Sequence, residues 1–300
     1  MPEYDFLRYE SFDDGAIVRI LLDRPEARNA QNRGLLVELD AAFRAAEADD
    51  ACRVVVLGGT GPLFSSGHDL GSPQAMEEYR SHPTMSIDGA TREGAESLML
   101  QEWHYYFQNT LRWRNLRKIT IAQVQGPVYA AGLMLMWACD LIVGADDTVF
   151  ADVVGTRLGM CGLEYFAHPW ELGARKAKEL LLTGDSIDVH EAHRLGMVSK
   201  VFPRDELEDR TLEFARRIAA LPTMTALLIK ESVNQTLDNQ GFYNSLQACF
   251  TLHQLNHSHW AQVHDDRWPA ARPEDGVPAW RDQPPVVLAE KDTVRAADPS

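Results

Sequence analysis

Phe64-Ser65-Ser66-Gly67-His68-Asp69-Leu70 follows the β-branched run Arg53 to Leu57 and a glycine-rich turn, Gly58-Gly59-Thr60-Gly61-Pro62. Gln125-Gly126-Pro127-Val128-Tyr129-Ala130-Ala131-Gly132 follows a second such run, Ile119 to Val124. Both place small residues where a strand gives way to a helix. A chain turning there leaves main-chain N–H groups without partners. Two such ends facing each other can hold a negatively charged carbonyl oxygen, which stabilises an enolate or a tetrahedral oxyanion without any side chain.

Outward from these segments, Ala16 to Leu22 reads as a strand closed by Asp23-Arg24-Pro25. Leu35 to Ala48 reads as a helix, with Leu36, Leu39, Phe43 and Ala46 on one face. Gly71 to Arg92 has weak periodicity and three breakers, Pro73, Pro83 and Gly89, and is expected to be a loop with at most a short helix. Glu93 to Arg117 is predicted helical, its aromatics Trp103, Tyr105, Tyr106, Phe107 and Trp113 packing rather than binding. Strands are expected at Asp140 to Gly144 and Met197 to Phe202, and helices at Lys176 to Leu182 and Glu191 to Gly196. After residue 202 only helical patterns follow: Glu206 to Leu221, Ala226 to Leu237 and Phe242 to Val263. The expectation is an α/β core over 1–202, a helical region over 203–265 covering it or a neighbouring subunit, and a proline-rich extended tail over 266–300.

Composition excludes some partners. The 300 residues carry a net charge of -15, the wrong sign for nucleic acid or an anionic membrane surface. An anionic small molecule can still bind through local cations and helix N-termini. The four cysteines form no C-x-x-C or zinc spacing, as expected of reduced thiols in a cytoplasmic protein. The first nine residues lack the basic and apolar regions of a secretion signal. No G-x-G-x-x-G or P-loop points to a nicotinamide or ATP.

In order and interval, several segments resemble the crotonase superfamily, which includes the enoyl-CoA hydratases and isomerases. They are Asp23-Arg24-Pro25-Glu26-Ala27-Arg28-Asn29-Ala30, the Phe64-to-Leu70 segment, Ile121-Ala122-Gln123-Val124-Gln125-Gly126, Cys139-Asp140-Leu141, Leu182-Thr183-Gly184-Asp185, Leu195-Gly196-Met197-Val198 and Lys230-Glu231-Ser232. The resemblance spans roughly Tyr9 to Val263. It implies a spiral of ββα units with a C-terminal helical region, an acyl-CoA thioester substrate, no cofactor beyond that coenzyme A, and a homotrimer or dimer of trimers. It also implies that the thioester oxygen sits between the N–H groups of His68 and Ala131. By the same resemblance Glu26, Ala27, Arg28, Ala30 and Ser66 cradle the coenzyme, with Arg28 placed for a phosphate and Asp69 and Leu70 on the adenine side.

The chain departs from that pattern where a hydratase of this kind carries two glutamates. The first position falls on Met134, the second on Val154 or Gly155, and none of these exchanges a proton. Glu164, just beyond the Leu158-Gly159 turn, is the candidate replacement; its other reading is an acid at a helix N-terminus. Asp152 is a second candidate, or a loop-capping residue. His68 contributes its N–H whatever its ring does. His168 is expected to be structural. His253, His257, His259 and His264 have partly helical spacing, but no carboxylate at a ligand spacing, so no metal is expected. The function expected is an enolate-stabilising acyl-CoA enzyme, nominally a hydratase or isomerase. The alternatives are a non-catalytic acyl-CoA-binding homologue and a divergent isomerase or hydrolase using Glu164 or Asp152.

Overall fold

A computed structural model describes residues 3–81 and 94–264. Strands β1 (Leu7–Phe12) and β2 (Ile17–Leu22) are followed by helix α1 (Arg33–Ala48) and strand β3 (Val54–Gly59). Helices α2 (Pro73–Ser81) and α3 (Gly94–Gln101) follow, and α3 continues through a π-helical segment, Glu102–Gln108, into α4 (Asn109–Arg114). Next come β4 (Ile119–Val124), β5 (Pro127–Tyr129), α5 (Ala131–Trp137), β6 (Leu141–Ala145), β7 (Val149–Ala151) and α6 (Val154–Leu158). Then come α7 (His168–Leu172), α8 (Ala174–Thr183), β8 (Ile187–Asp188), α9 (Val189–Leu195) and β9 (Lys200–Phe202). Three helices close the described chain: α10 (Leu207–Ala219), α11 (Thr223–Asn239) and α12 (Phe242–Val263). The sequence-expected loop over Gly71 to Arg92 thus contains α2, and residues 82–93 and 265–300, including the expected tail, lie outside the described residues.

Six strands form one sheet in the order β1-β2-β3-β4-β6-β9, parallel except for the β1–β2 pair. β5, β7 and β8 form a second, smaller sheet. The alternation of side chains along a strand explains why β2, β3 and β4 are buried throughout. Val55 and Leu57 of β3 join the larger core with Leu35, Leu39 and Phe43 of α1, while Val54 and Val56 face a smaller core built by Leu207, Leu212 and Ala215 of α10. Helix α10 therefore covers the opposite face of the main sheet. Gly58 and Gly59, read above as a turn, extend β3 by two residues; Gly59 pairs with Leu22.

Two motif fragments far apart in sequence meet beneath the sheet. Asp140 accepts hydrogen bonds from the Thr120 N–H (2.8 Å), the Thr120 hydroxyl (2.9 Å) and Lys230 Nζ (3.0 Å). Lys230 Nζ also donates to the Lys118 carbonyl at 3.0 Å. The pair ties α11 to the start of β4 and β6.

Candidate active site

The segment from Arg24 to Gln31 and the loop from Phe64 to Asp69 run side by side. Ser66 N–H donates to Arg28 O, Gln31 N–H to Gly67 O, and Asp69 N–H to Gln31 O. Arg28 and Asn29 take positive φ values, 56° and 49°, which turns the chain sharply enough to bury Asn29. Asn29 then holds the loop: its Oδ1 accepts from Arg24 N–H, and its Nδ2 donates to the carbonyls of Thr60 and Leu63. A bridge between Gln31 and His68 uses the carbonyl of Gly67 and the N–H of Asp69, so the His68 N–H points away from Gln31.

The second segment closes against the first. Phe64 N–H donates to Gln125 O, Tyr129 N–H to Ser65 O, and Ala130 N–H to Ala151 O. Ala130 is held at φ 47°, ψ -126°, a conformation costing a non-glycine residue about 1–3 kcal/mol that persists only where packing enforces it. It delivers Ala131 as the first residue of α5. A methyl group on Gly67 (φ 98°) would lie 3.1 Å from Ala131 N and 3.0 Å from the Ala130 Cβ, so glycine permits the approach. Among the described residues no loop carbonyl receives the N–H of His68 or Ala131. Two such groups on neighbouring peptides are of the kind that can hold an anionic oxygen. Gly67→Ala is expected to wedge them apart and to strain the backbone. The measured outcome should be a loss of about 1–3 kcal/mol in urea unfolding and a fall in turnover of about 100-fold; wild-type turnover in a folded variant would contradict the assignment.

Glu164 is 4% exposed, with Oε2 3.4 Å from His68 Nε2. Tyr106 stacks on the His68 ring at a centroid separation of 3.7 Å and fixes its plane. On its other side Glu164 Oε1 lies 3.8 Å from His253 Nε2. Burial pushes the Glu164 carboxyl up, but the neighbouring His68 and then His253 outweigh it and hold the group below the usual glutamate range. The carboxylate is therefore ionised at neutral pH. Glu102, at the start of the π-helical segment, belongs to the same buried group: its Oε2 is 3.3 Å from His253 Nε2 and its Oε1 3.0 Å from His257 Nε2.

The remaining sequence candidates fall elsewhere. Asp152 is buried; its Oδ1 accepts from Val154 N–H at 2.9 Å, while its Oδ2 lies 3.0 Å from His168 Nε2 without a hydrogen bond between them. Met134 on α5 and Val154 on α6 are buried apolar side chains. Asp69 pairs with buried Arg24 at 3.1 Å and accepts from the Ser72 N–H and hydroxyl, which organises the start of α2. Glu26, Arg28 and Leu70 are exposed; Ala27, Ala30 and Ser66 are half-buried. A small cleft lies beside these segments, lined by Gln31, Asp69, Ala75, Gln101 and Tyr106 among others. Sequence reading missed Glu102, His253 and Tyr106 as neighbours of the site. They arrive from helices distant along the chain, and no local spacing links them to His68.

A sequence profile described as enoyl-CoA hydratase/isomerase matches residues 13–282. A Mycobacterium tuberculosis protein, provisionally designated enoyl-CoA hydratase EchA13, is 62% identical over 293 residues, covering 96% of this chain and 92% of that protein. 4-Chlorobenzoyl coenzyme A dehalogenase-2 of an Arthrobacter species is 30% identical, covering 82% and 85%. The crystal structure of a provisionally designated enoyl-CoA hydratase from Mycobacterium smegmatis superposes with a TM-score of 0.78 at 42% identity, covering 88% of this chain and 99% of that one.

Proposed function

This chain belongs to the enoyl-CoA hydratase/isomerase family, and from that premise we propose that it binds an acyl-CoA thioester whose carbonyl oxygen is held by the N–H groups of His68 and Ala131, with Glu164 as the sole proton-transfer group. The observation carrying this reading is the buried Glu164 beside His68, whose own N–H meets no loop carbonyl among the described residues. Glu164 removes a proton from the carbon α or γ to the thioester, and the electron pair moves onto the thioester oxygen. Each of the two N–H donors is worth about 3 kcal/mol in such a step. The protonated Glu164 returns its proton to the other carbon, and the double bond has moved. One carboxylate suffices for this isomerisation. Hydration also needs a second group to hold and activate water, and Met134 and Val154 supply none. Asp152 is left out of the reaction because its neighbours are His168 and the Val154 N–H, and it makes no contact with the His68–Glu164 pair.

The Arg24-to-Ala30 turn, with exposed Arg28 at its tip, supports docking of the coenzyme against Ser66 and Leu70. The exposed Met224, Leu228, Ile229 and Val233 on α11 support burial of that helix in a homotrimer or dimer of trimers. Among the described residues no helix is long and apolar enough to cross a membrane.

The test is a spectrophotometric assay with a 3-enoyl-CoA and with crotonyl-CoA. A rise in conjugated-thioester absorbance from the 3-enoyl substrate is expected. Tight binding of both with turnover of neither would instead make the protein a non-catalytic acyl-CoA binder. A pH profile adds a finer check. Glu164 works as its carboxylate, so activity is present above its pKa and is lost as pH falls through it. His68 helps hold that pKa down. In His68→Ala, which retains the main-chain N–H, the acidic limb of kcat should move to higher pH; an unmoved limb would remove Glu164 from the reaction.

A further inference from the structure

We propose that Glu102, His253 and His257 form a binding site for one borderline divalent cation of the zinc or cobalt class. The three side chains are buried, and their donor atoms lie within 4.8 Å of one another. The separations are 3.0 Å between His253 Nε2 and His257 Nε2, 3.0 Å from His257 Nε2 to Glu102 Oε1, and 3.3 Å from His253 Nε2 to Glu102 Oε2. Metal–ligand bonds of about 2.0–2.1 Å in a tetrahedron separate neighbouring donors by about 3.3–3.4 Å, so small movements seat the ion. Imidazole and carboxylate donors suit these ions better than calcium or magnesium.

Protons placed on the two imidazole rings alone do not satisfy this triangle. If each histidine donates to Glu102, two N–H groups face each other at the 3.0 Å contact. If one donates to the other, the acceptor's Nε2 lone pair faces the Glu102 carboxylate. A cation at the centre serves all three contacts at once.

The surroundings are those of a metal ligand set. His253 Nδ1 donates to the Gly162 carbonyl at 2.9 Å, which leaves Nε2 as the coordinating nitrogen. Gln254 Nε2 donates to Glu102 Oε2 at 2.9 Å and orients the carboxylate. The two histidines stand one helical turn apart on α12, and Glu102 opens the π-helical segment, a distortion that recurs at functional sites. Glu164 Oε1, 3.8 Å from the same His253 nitrogen, adds a second buried carboxylate, so a divalent charge balances both. The site would tie α12 to the helix carrying Tyr106. Its carboxylate was invisible to sequence spacing because Glu102 lies on a different helix from the two histidines.

The experiment strips the full-length protein with EDTA, adds Zn2+ or Co2+ alone, and measures retained metal by elemental analysis after gel filtration and the visible absorption of Co2+. Glu102→Gln and His257→Gln are the site variants; His259→Gln on the same helix and His264→Gln at its C-cap are controls. Circular dichroism establishes that each is folded, and two site variants guard against the loss of one. One equivalent retained by wild type and controls, with affinity at least about 10–100-fold weaker in a folded site variant, is the expected result. No stoichiometric retention by wild type, or retention lost only in the controls, would overturn the proposal.

Discussion

Glu164→Gln should lower turnover by about 10²–10⁴-fold, the usual worth of a positioned general base, while acyl-CoA affinity changes little. Glutamine keeps the volume of the side chain and still faces His68, but it cannot take a proton. In the proposed reading, binding rests on groups the substitution does not touch: the N–H donors of His68 and Ala131 and the Arg24-to-Ala30 turn. Single-turnover kinetics and isothermal titration with a saturated acyl-CoA separate the two effects. A variant that keeps a tenth or more of the wild-type rate would transfer the chemistry to another residue. A variant that loses binding and rate together would make Glu164 a packing residue.

The largest effect on stability is expected at Lys230. Lys230→Met removes the only cation that hydrogen-bonds Asp140 among the described residues, and leaves its carboxylate with the Thr120 donors alone. Breaking a buried pair from one side costs about 3–5 kcal/mol, because the surviving charge stays desolvated. The cost depends on pH in a definite direction. Burial already raises the Asp140 pKa above the ordinary aspartate value even with Lys230 beside it, and without Lys230 it rises further. A raised carboxyl pKa leaves the fold most stable below the unfolded-state pKa and erodes stability as pH climbs through the folded-state value. The variant's deficit should therefore shrink on acidification, and Asp140→Asn in the same background should recover part of it. Urea midpoints across pH measure both; a constant deficit would mean that lost packing of the lysine stem, and not the stranded charge, is responsible.

The Asp140–Lys230 pair also shows what the sequence could convey. Cys139-Asp140-Leu141 and Lys230-Glu231-Ser232 were recognisable fragments, yet only folding reveals that one neutralises the other. The long strands were legible because their residues are buried on both faces and read as unbroken apolar runs, as in Val54 to Leu57. β1 was missed because the charged Arg8 and Glu10 interrupt its apolar pattern. β7 and β8 have three and two residues, too few for any period to show. The loops bearing His68 and Ala131 were legible through their small residues, since close approach of two backbones restricts residue size. Glu164 was named from its place after the Leu158-Gly159 turn, but the groups that hold it ionised were not. His68 and His253, which hold the carboxyl down, and Glu102, whose like charge pushes it up, reach it from three separate segments, and side-chain convergence of that kind leaves no local signature.

A crystal structure of the protein with an unreactive saturated acyl-CoA is the most direct test of the central claim. The thioester oxygen should lie about 3 Å from the main-chain nitrogens of both His68 and Ala131, with a Glu164 oxygen facing the hydrogen on the α-carbon. A thioester bound elsewhere, or an oxygen that meets neither nitrogen, would contradict it.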